Sequence, residues 1–194
     1  MKKFELTQEH KINENGYTLY RIKACHNFTT IRGHKIKEND LGGWVEKEDN
    51  LSQDGKSWIY DNAEVYGNAK IYDNAEIYYN AKIYNNAEIY NNAKVYDYVK
   101  VFDNAKIYGN AEIHDRAKIY ANAQIYDYAD ISENVEIYGN AQIYGNAEIY
   151  GSAEIYGCAK IYGDTEIYES AKIYGNTEFD GNTEICGDTE IYDN

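Results

Sequence analysis

Asn140-Ala-Gln-Ile-Tyr-Gly-Asn-Ala-Glu-Ile-Tyr-Gly151 is one phrase written twice, and from Lys56 to Asn194 the chain contains little else. Counted by its aliphatic residue, from Ile59 to Ile191 in steps of six, the phrase occurs 23 times. Each of those positions holds Ile or Val except Phe179. Two residues earlier, from Ser57 to Thr189, stands Ala, Ser, Thr or Val. One residue later stands Tyr in 18 of the 23, the exceptions being Phe102, His114, Ser132, Asp180 and Cys186. No insertion breaks the frame, and a repeat this strict is the mark of a solenoid.

Within a hexad the small residue and the Ile alternate with a charged residue and Tyr, as in Ala75-Glu-Ile-Tyr78. A period of two is a strand, with Ala and Ile facing one way and Glu or Lys and Tyr the other. Ile, Val and Tyr suit a pleated surface. The two remaining positions are pairs such as Gly67-Asn68, Asp73-Asn74 and Asn85-Asn86, residues that accept positive φ and make tight corners. The pattern predicts four-residue strands separated by corners. No such strand buries its inner face alone, so strands must stack coil upon coil. Each buried Ile then contributes roughly 1.5–3 kcal/mol.

Residues 1–55 do not follow the hexad. Phe4-Glu-Leu6 and Tyr17-Thr-Leu-Tyr-Arg-Ile-Lys-Ala24 read as strands around the turn Asn15-Gly16. A solenoid must shield its terminal coil from water and from edge pairing. The segment is therefore expected to be an N-terminal cap, with Trp44 or Trp58 covering the first coil, and residues 56–194 the solenoid.

The run Leu41-Gly-Gly-Trp-Val-Glu-Lys-Glu-Asp-Asn-Leu-Ser-Gln-Asp-Gly55, passing into Trp58-Ile-Tyr-Asp-Asn-Ala63, resembles the YdcK-like hexapeptide-repeat proteins of bacteria and phages. The hexad itself is similar to the motif of known hexapeptide solenoids. That resemblance implies an all-β, left-handed parallel β-helix, triangular in section, with three hexads to a coil. Tyr directly after the aliphatic residue departs from the usual motif and alters only the outer surface. The resemblance also implies an acyltransferase label, which is a fold-level analogy and a weak warrant for chemistry.

With three hexads to a coil, Tyr66, Tyr84, Phe102, Tyr120, Tyr138, Tyr156, Tyr174 and Tyr192 form one outer column. Its later part, Tyr138, Tyr156, Tyr174 and Tyr192, is a candidate aromatic binding face. A charged column reads Trp58, Glu76, Lys94, Glu112, then Asp130, Glu148, Glu166 and Glu184. Like charges on neighbouring strands destabilise a sheet, so the four stacked acids suggest a use and form a candidate partner-binding face. The last coil has no cap in sequence, and Phe179, Ile185 and Ile191 form a candidate self-association end.

The formal net charge of −14 is unevenly spread. Residues 1–55 are neutral, residues 56–126 carry −1, and residues 127–194, with two basic and fifteen acidic residues, carry −13. This argues against direct contact with nucleic acid or an anionic membrane. No apolar run is long enough to span a bilayer, and the start of the chain lacks the apolar core of a signal peptide. Cys25, Cys158 and Cys186 lack metal-ligand spacing. These features read as a cytoplasmic protein with no cofactor and no metal.

Of the four histidines, His10, His26, His34 and His114, only His114 lies in the repeat. One His cannot form a three-His metal centre within a chain. As a general base His114 has only Glu112 and Asp115 nearby in sequence, and no catalytic residue is assigned. Three functions stay open: a non-enzymatic solenoid that binds a protein partner, an acyltransferase-like enzyme, and a purely structural self-assembling solenoid. The first includes mimicry of nucleic-acid charge against a basic nucleic-acid-binding protein, as in a phage anti-defence inhibitor.

Overall fold

Strands too short to be stable alone find their partners three hexads along the chain. In the computed structural model, which describes residues 2–193, Glu76-Ile77 pairs in parallel with Lys94-Val95. Glu64-Val65 pairs with Lys82-Ile83 and Lys70-Ile71 with Glu88-Ile89 in the same way. Three parallel sheets result, one per hexad of the coil. They are named here by their first outward tyrosine as the Tyr60, Tyr66 and Tyr72 faces. The chain is an all-β, three-faced parallel β-helix with no α-helix among the described residues.

The paired segments are mostly two residues long, such as Lys94–Val95, and not the four that alternation suggests. The corner is the reason. The residue after Tyr takes positive φ, for example Asp73 at 56° and Gly67 at 68°, so the chain is already turning at the tyrosine. Hydrogen bonding continues through the bend. Tyr72 N–H donates to Ile89 O at 3.1 Å, and Asn74 N–H donates to Asn91 O at 2.9 Å. Backbone groups that would be orphaned at a corner are thereby satisfied by the next coil.

Ala and Ile fill the interior with no exposure, from Ile59 through Ile173. Tyr78 and Tyr144 stand outside it, half-buried. Stacking continues in the second corner residue, where Asn68, Asn86, Asn104, Asn122 and Asn140 pass a hydrogen bond from Nδ2 to Oδ1 at 3.1–3.2 Å.

The helix begins earlier than the hexad. Leu41–Val45 pairs in parallel with Glu64-Val65, Leu51 bridges to Ile71, and Trp58-Ile59 pairs with Glu76-Ile77. Val45 and Leu51 stand further along the chain from their partners, Val65 and Ile71, than Ile59 does from Ile77. The difference is two extra residues between Leu51 and Trp58. They belong to the bend around Gln53, whose side chain accepts from Lys3 N at 2.8 Å and donates to Phe4 O at 3.1 Å. Residues 41–55 thus form part of a coil as well as a junction.

What precedes is the cap. Strands β1 (Phe4–Ile12) and β2 (Thr18–Ala24) form an antiparallel hairpin, and β2 pairs antiparallel with β5 (Leu41–Val45). Phe4, Ile22 and Ala24 are fully buried and close the core. Gly42 lets them approach: a Cβ there would sit 2.6 Å from both Ile22 Cγ1 and Ile59 O. Neither tryptophan is the lid expected from sequence. Trp58 is covered by Phe28, ring centroids 5.5 Å apart. Trp44 lies with Leu19 and Tyr66 in a separate cluster, under the cations of Lys11 and Arg21. A second hairpin, β3 (Phe28–Thr29) and β4 (Lys35–Ile36), folds back along the Tyr60 face.

Candidate interaction faces

The same stacking that builds the core orders the surface. Tyr138, Tyr156 and Tyr174 stack in series at 4.8 and 4.9 Å, and Tyr174 stacks on Tyr192 at 5.2 Å. Tyr192 is the most exposed of the four, at 58%. The other three rings are half-buried between their neighbours. Their apolar planes face one another along the axis, which leaves edges outward and gives a flat, ribbed surface.

Asp130, Glu148, Glu166 and Glu184 occupy paired positions on successive strands of the Tyr60 face. Their surroundings differ. Asp130 Oδ1 meets His114 Nε2 at 3.1 Å. Glu166 accepts a hydrogen bond from the Tyr150 hydroxyl, and Glu184 accepts one from Tyr168 at 2.5 Å. Each tyrosine lies one coil down and beside its acid. The hydroxyl supplies the hydrogen bond that a lysine supplies elsewhere on this face, as in the Lys94–Glu112 pair at 3.2 Å. It does so without neutralising the charge, so Glu166 and Glu184 are ordered and remain anionic. The carboxylates raise the tyrosine pKa values in turn, Tyr150 to about 12, mainly through that hydrogen bond. The acids and the aromatic face lie on different sides of the prism, so the structure does not join them into one patch. Phe179, Ile185 and Ile191 do come together, as the last aliphatic-position residues of the three faces against the core.

His114 stacks on Tyr96 at 4.8 Å. Its Nδ1 meets Asp115 Oδ2 at 3.0 Å and its Nε2 meets Asp130 Oδ1 at 3.1 Å. The hydrogen bond to Asp130 and the charge of both carboxylates outweigh desolvation and raise the pKa of the ring. With both ring nitrogens facing carboxylates, neither is free to take a proton from a substrate. Asp130 was beyond reach of sequence adjacency, because it comes to His114 from the following coil. Asp97 also approaches, and the donor atoms of Asp97, His114 and Asp115 lie within 4.8 Å of one another.

Sequence reasoning also missed the burial of Glu76, which has no exposure. Its Oε2 accepts from Tyr78 at 2.6 Å and Tyr60 at 2.7 Å, and meets His34 Nδ1 at 3.0 Å. Burial alone would raise its pKa; these hydrogen bonds outweigh that and hold it ionised. The signal was the i, i+16 relation between Tyr60 and Glu76, which is readable once three hexads per coil are assumed.

Neither protein-family models nor curated proteins give a match to this chain.

Proposed function

We propose that this chain is a non-enzymatic binding protein whose acidic last third occupies the basic groove of a nucleic-acid-binding protein. The observation that carries the reading is charge density. Residues 127–194 carry a net −13 over just under four coils, a rise of about 18 Å. That is about one charge per 1.4 Å, against one per ~1.7 Å of axis in duplex DNA. Tyrosine hydroxyls hold Glu166, Glu178, Glu184 and Glu190 without cancelling their charge, and an ordered anionic surface costs little to organise on binding. A phage anti-defence inhibitor is one biological setting for such mimicry, and a YdcK-like solenoid is the scaffold it would use. The acyltransferase alternative gains no support from His114, whose ring nitrogens are both engaged with carboxylates.

Binding of a purified basic DNA-binding protein, followed by fluorescence anisotropy at low and at physiological salt, tests the reading. Saturable binding that weakens steeply with salt supports it. Absence of binding at low salt, or binding indifferent to salt, counts against it.

Self-association is a second reading, favoured by one observation. The strand Glu190–Asp193 pairs with Lys172–Gly175 on one side, and among the described residues nothing pairs with its other edge, beside half-buried Phe179 and Ile191. A two-fold contact would cover two such edges at once. Sedimentation with Ile191→Lys decides this: a dimer lost on substitution supports the contact, and a monomer at every salt concentration removes it.

A further inference from the structure

One corner of the helix departs from the repeat at several neighbouring positions. Along the corner that follows the Tyr60 face, Tyr98 and Arg116 stand where the repeat has Asn. His114 replaces the outward Tyr, and Ser132 replaces it again one coil on. The positive-φ position of this corner holds an acid in three successive coils, at Asp97, Asp115 and Glu133. On the other two corners no two successive coils hold acids at that position.

Hydrogen bonding within the column sets Asp97 apart. Asp61 Oδ2 accepts from Tyr79 N at 3.3 Å and Asp115 Oδ2 from Glu133 N at 3.2 Å, in each case from the corner residue one coil on. The Asp97 carboxylate makes no hydrogen bond or ion pair among the described residues; it lies instead with a His114 nitrogen and an Asp115 oxygen, all three donor atoms within 4.8 Å of one another. Arg116 is exposed and forms no ion pair with these carboxylates among the described residues.

The imidazole is set for a third partner. Its Nε2 meets Asp130 Oδ1 at 3.1 Å, and a hydrogen bond donated there leaves Nδ1 facing Asp115 Oδ2 at 3.0 Å. A nitrogen lone pair and a carboxylate repel, so that contact requires a proton or a metal cation between them. A proton joins two atoms and leaves Asp97 without a partner. A divalent ion engages all three. A carboxylate on the far nitrogen is also the usual way a metal-binding histidine is oriented. Nitrogen and oxygen ligands at about 2.0–2.2 Å from zinc stand about 3.3–3.6 Å apart in a tetrahedron, so the contact has to widen only slightly while Asp97 rotates in. Tyr96 stacks on one face of the imidazole. Ser132 supplies no ring for the other, which leaves room for water at the remaining position.

We infer that Asp97, His114 and Asp115 bind a divalent transition-metal ion of the zinc class, with water completing the shell and Asp130 holding the ring. One imidazole and two carboxylates are a donor set that suits zinc. The ion ties two successive coils together where the neutral part of the rod meets the acidic third. The inference does not rest on partner binding by that third.

Zinc titrated into the full chain by calorimetry at about 0.15 M salt, which screens diffuse attraction to an acidic surface, is the test, with magnesium as the comparison. Saturable one-to-one zinc binding is expected, with magnesium at least tenfold weaker. His114→Gln and Asp97→Asn should each weaken zinc binding at least tenfold, and Cys158→Ser with Cys186→Ser should leave it unchanged. Asp97 makes no side-chain hydrogen bond in the fold, so a thermal melt that Asp97→Asn leaves unchanged separates lost binding from lost fold. No saturation at millimolar zinc overturns the inference. So does affinity untouched by His114→Gln, which would put the ion on the thiols or on the acidic surface at large, or magnesium binding as tightly as zinc.

Discussion

Ala121 occupies a corner position with φ of +59°, where the residues one coil to either side are Asp103 and Gly139. Left-handed backbone costs an L-residue with a Cβ about 1–2 kcal/mol, and glycine nothing comparable. Ala121→Gly should therefore stabilise the protein, by up to about 1 kcal/mol once the extra freedom of unfolded glycine is subtracted; denaturant unfolding measures it. Gly157→Ala should do the reverse. Its φ is +74° and a Cβ would meet Gly175 N at 2.7 Å, so a loss of about 1–3 kcal/mol is expected. The frame alone revealed these corners, because six-residue spacing names the position whatever residue fills it. His114 could not be read that way, since half of its environment comes from the next coil. Its pKa is raised in the folded state by Asp130 and Asp115. The stability it supplies is then complete below the unfolded value near 6.5 and is lost as pH rises through the folded value. NMR titration should find an imidazole pKa above that of a free histidine, and His114→Gln should abolish the pH dependence of stability in that window. A normal or lowered pKa would contradict the two-carboxylate environment.

At the scale of the strand and corner, cross-coil contact carries the structure. Each hexad donates three backbone hydrogen bonds to the next coil, as Lys70, Tyr72 and Asn74 do, and the side-chain columns add to them. Asn104 accepts from Asn86 at 3.1 Å and donates to Asn122 at 3.2 Å. Replacing it with Ala breaks both links at mid-ladder and should cost about 1–2 kcal/mol, since each net hydrogen bond contributes about 0.5–1.5 kcal/mol. Asn140→Ala, next to Cys158 at the end of the series, should cost less. Equal unfolding midpoints for Asn104→Ala and the parent would show that the ladder is incidental. The alternation of Ala, Glu, Ile and Tyr made the sheets and the core legible. It also hid the first coil, because the two residues added after Leu51 shift the frame while the spacing of Val45 and Leu51 is still six. The packing of the cap was hidden for another reason. Contacts such as Arg32 with Asn92 join residues that no local pattern connects, and only the fold-back of the β3–β4 hairpin creates them.

At the scale of the whole molecule the chain is a rod with two electrostatic halves. In the first half, lysines alternate with acids across coils on the Tyr60 and Tyr72 faces, as in Lys94–Glu112 and Lys106–Glu88, while Lys82, Lys100 and Lys118 stack on the Tyr66 face. Tyrosine hydroxyls bond acids in both halves, but in the second, where only Lys160 and Lys172 remain, they do so largely without lysines, as in Tyr162–Glu178 and Tyr174–Glu190, and the charge accumulates. Composition revealed the accumulation; the way it is ordered needed the coil geometry. Self-repulsion in the acidic half should make stability rise with salt, because the Debye length falls from about 30 Å at 0.01 M to about 8 Å at 0.15 M. A thermal midpoint that is flat or falling over that range would contradict this. The most direct measurement for the function is displacement of labelled duplex DNA from a basic DNA-binding protein, by the parent chain and by a variant with Asp130→Asn, Glu148→Gln, Glu166→Gln and Glu184→Gln. The parent should displace DNA at low salt and the variant should do so far more weakly at the same fold stability. Equal displacement by both, or none by the parent, would contradict the reading of this rod as a mimic of nucleic-acid charge.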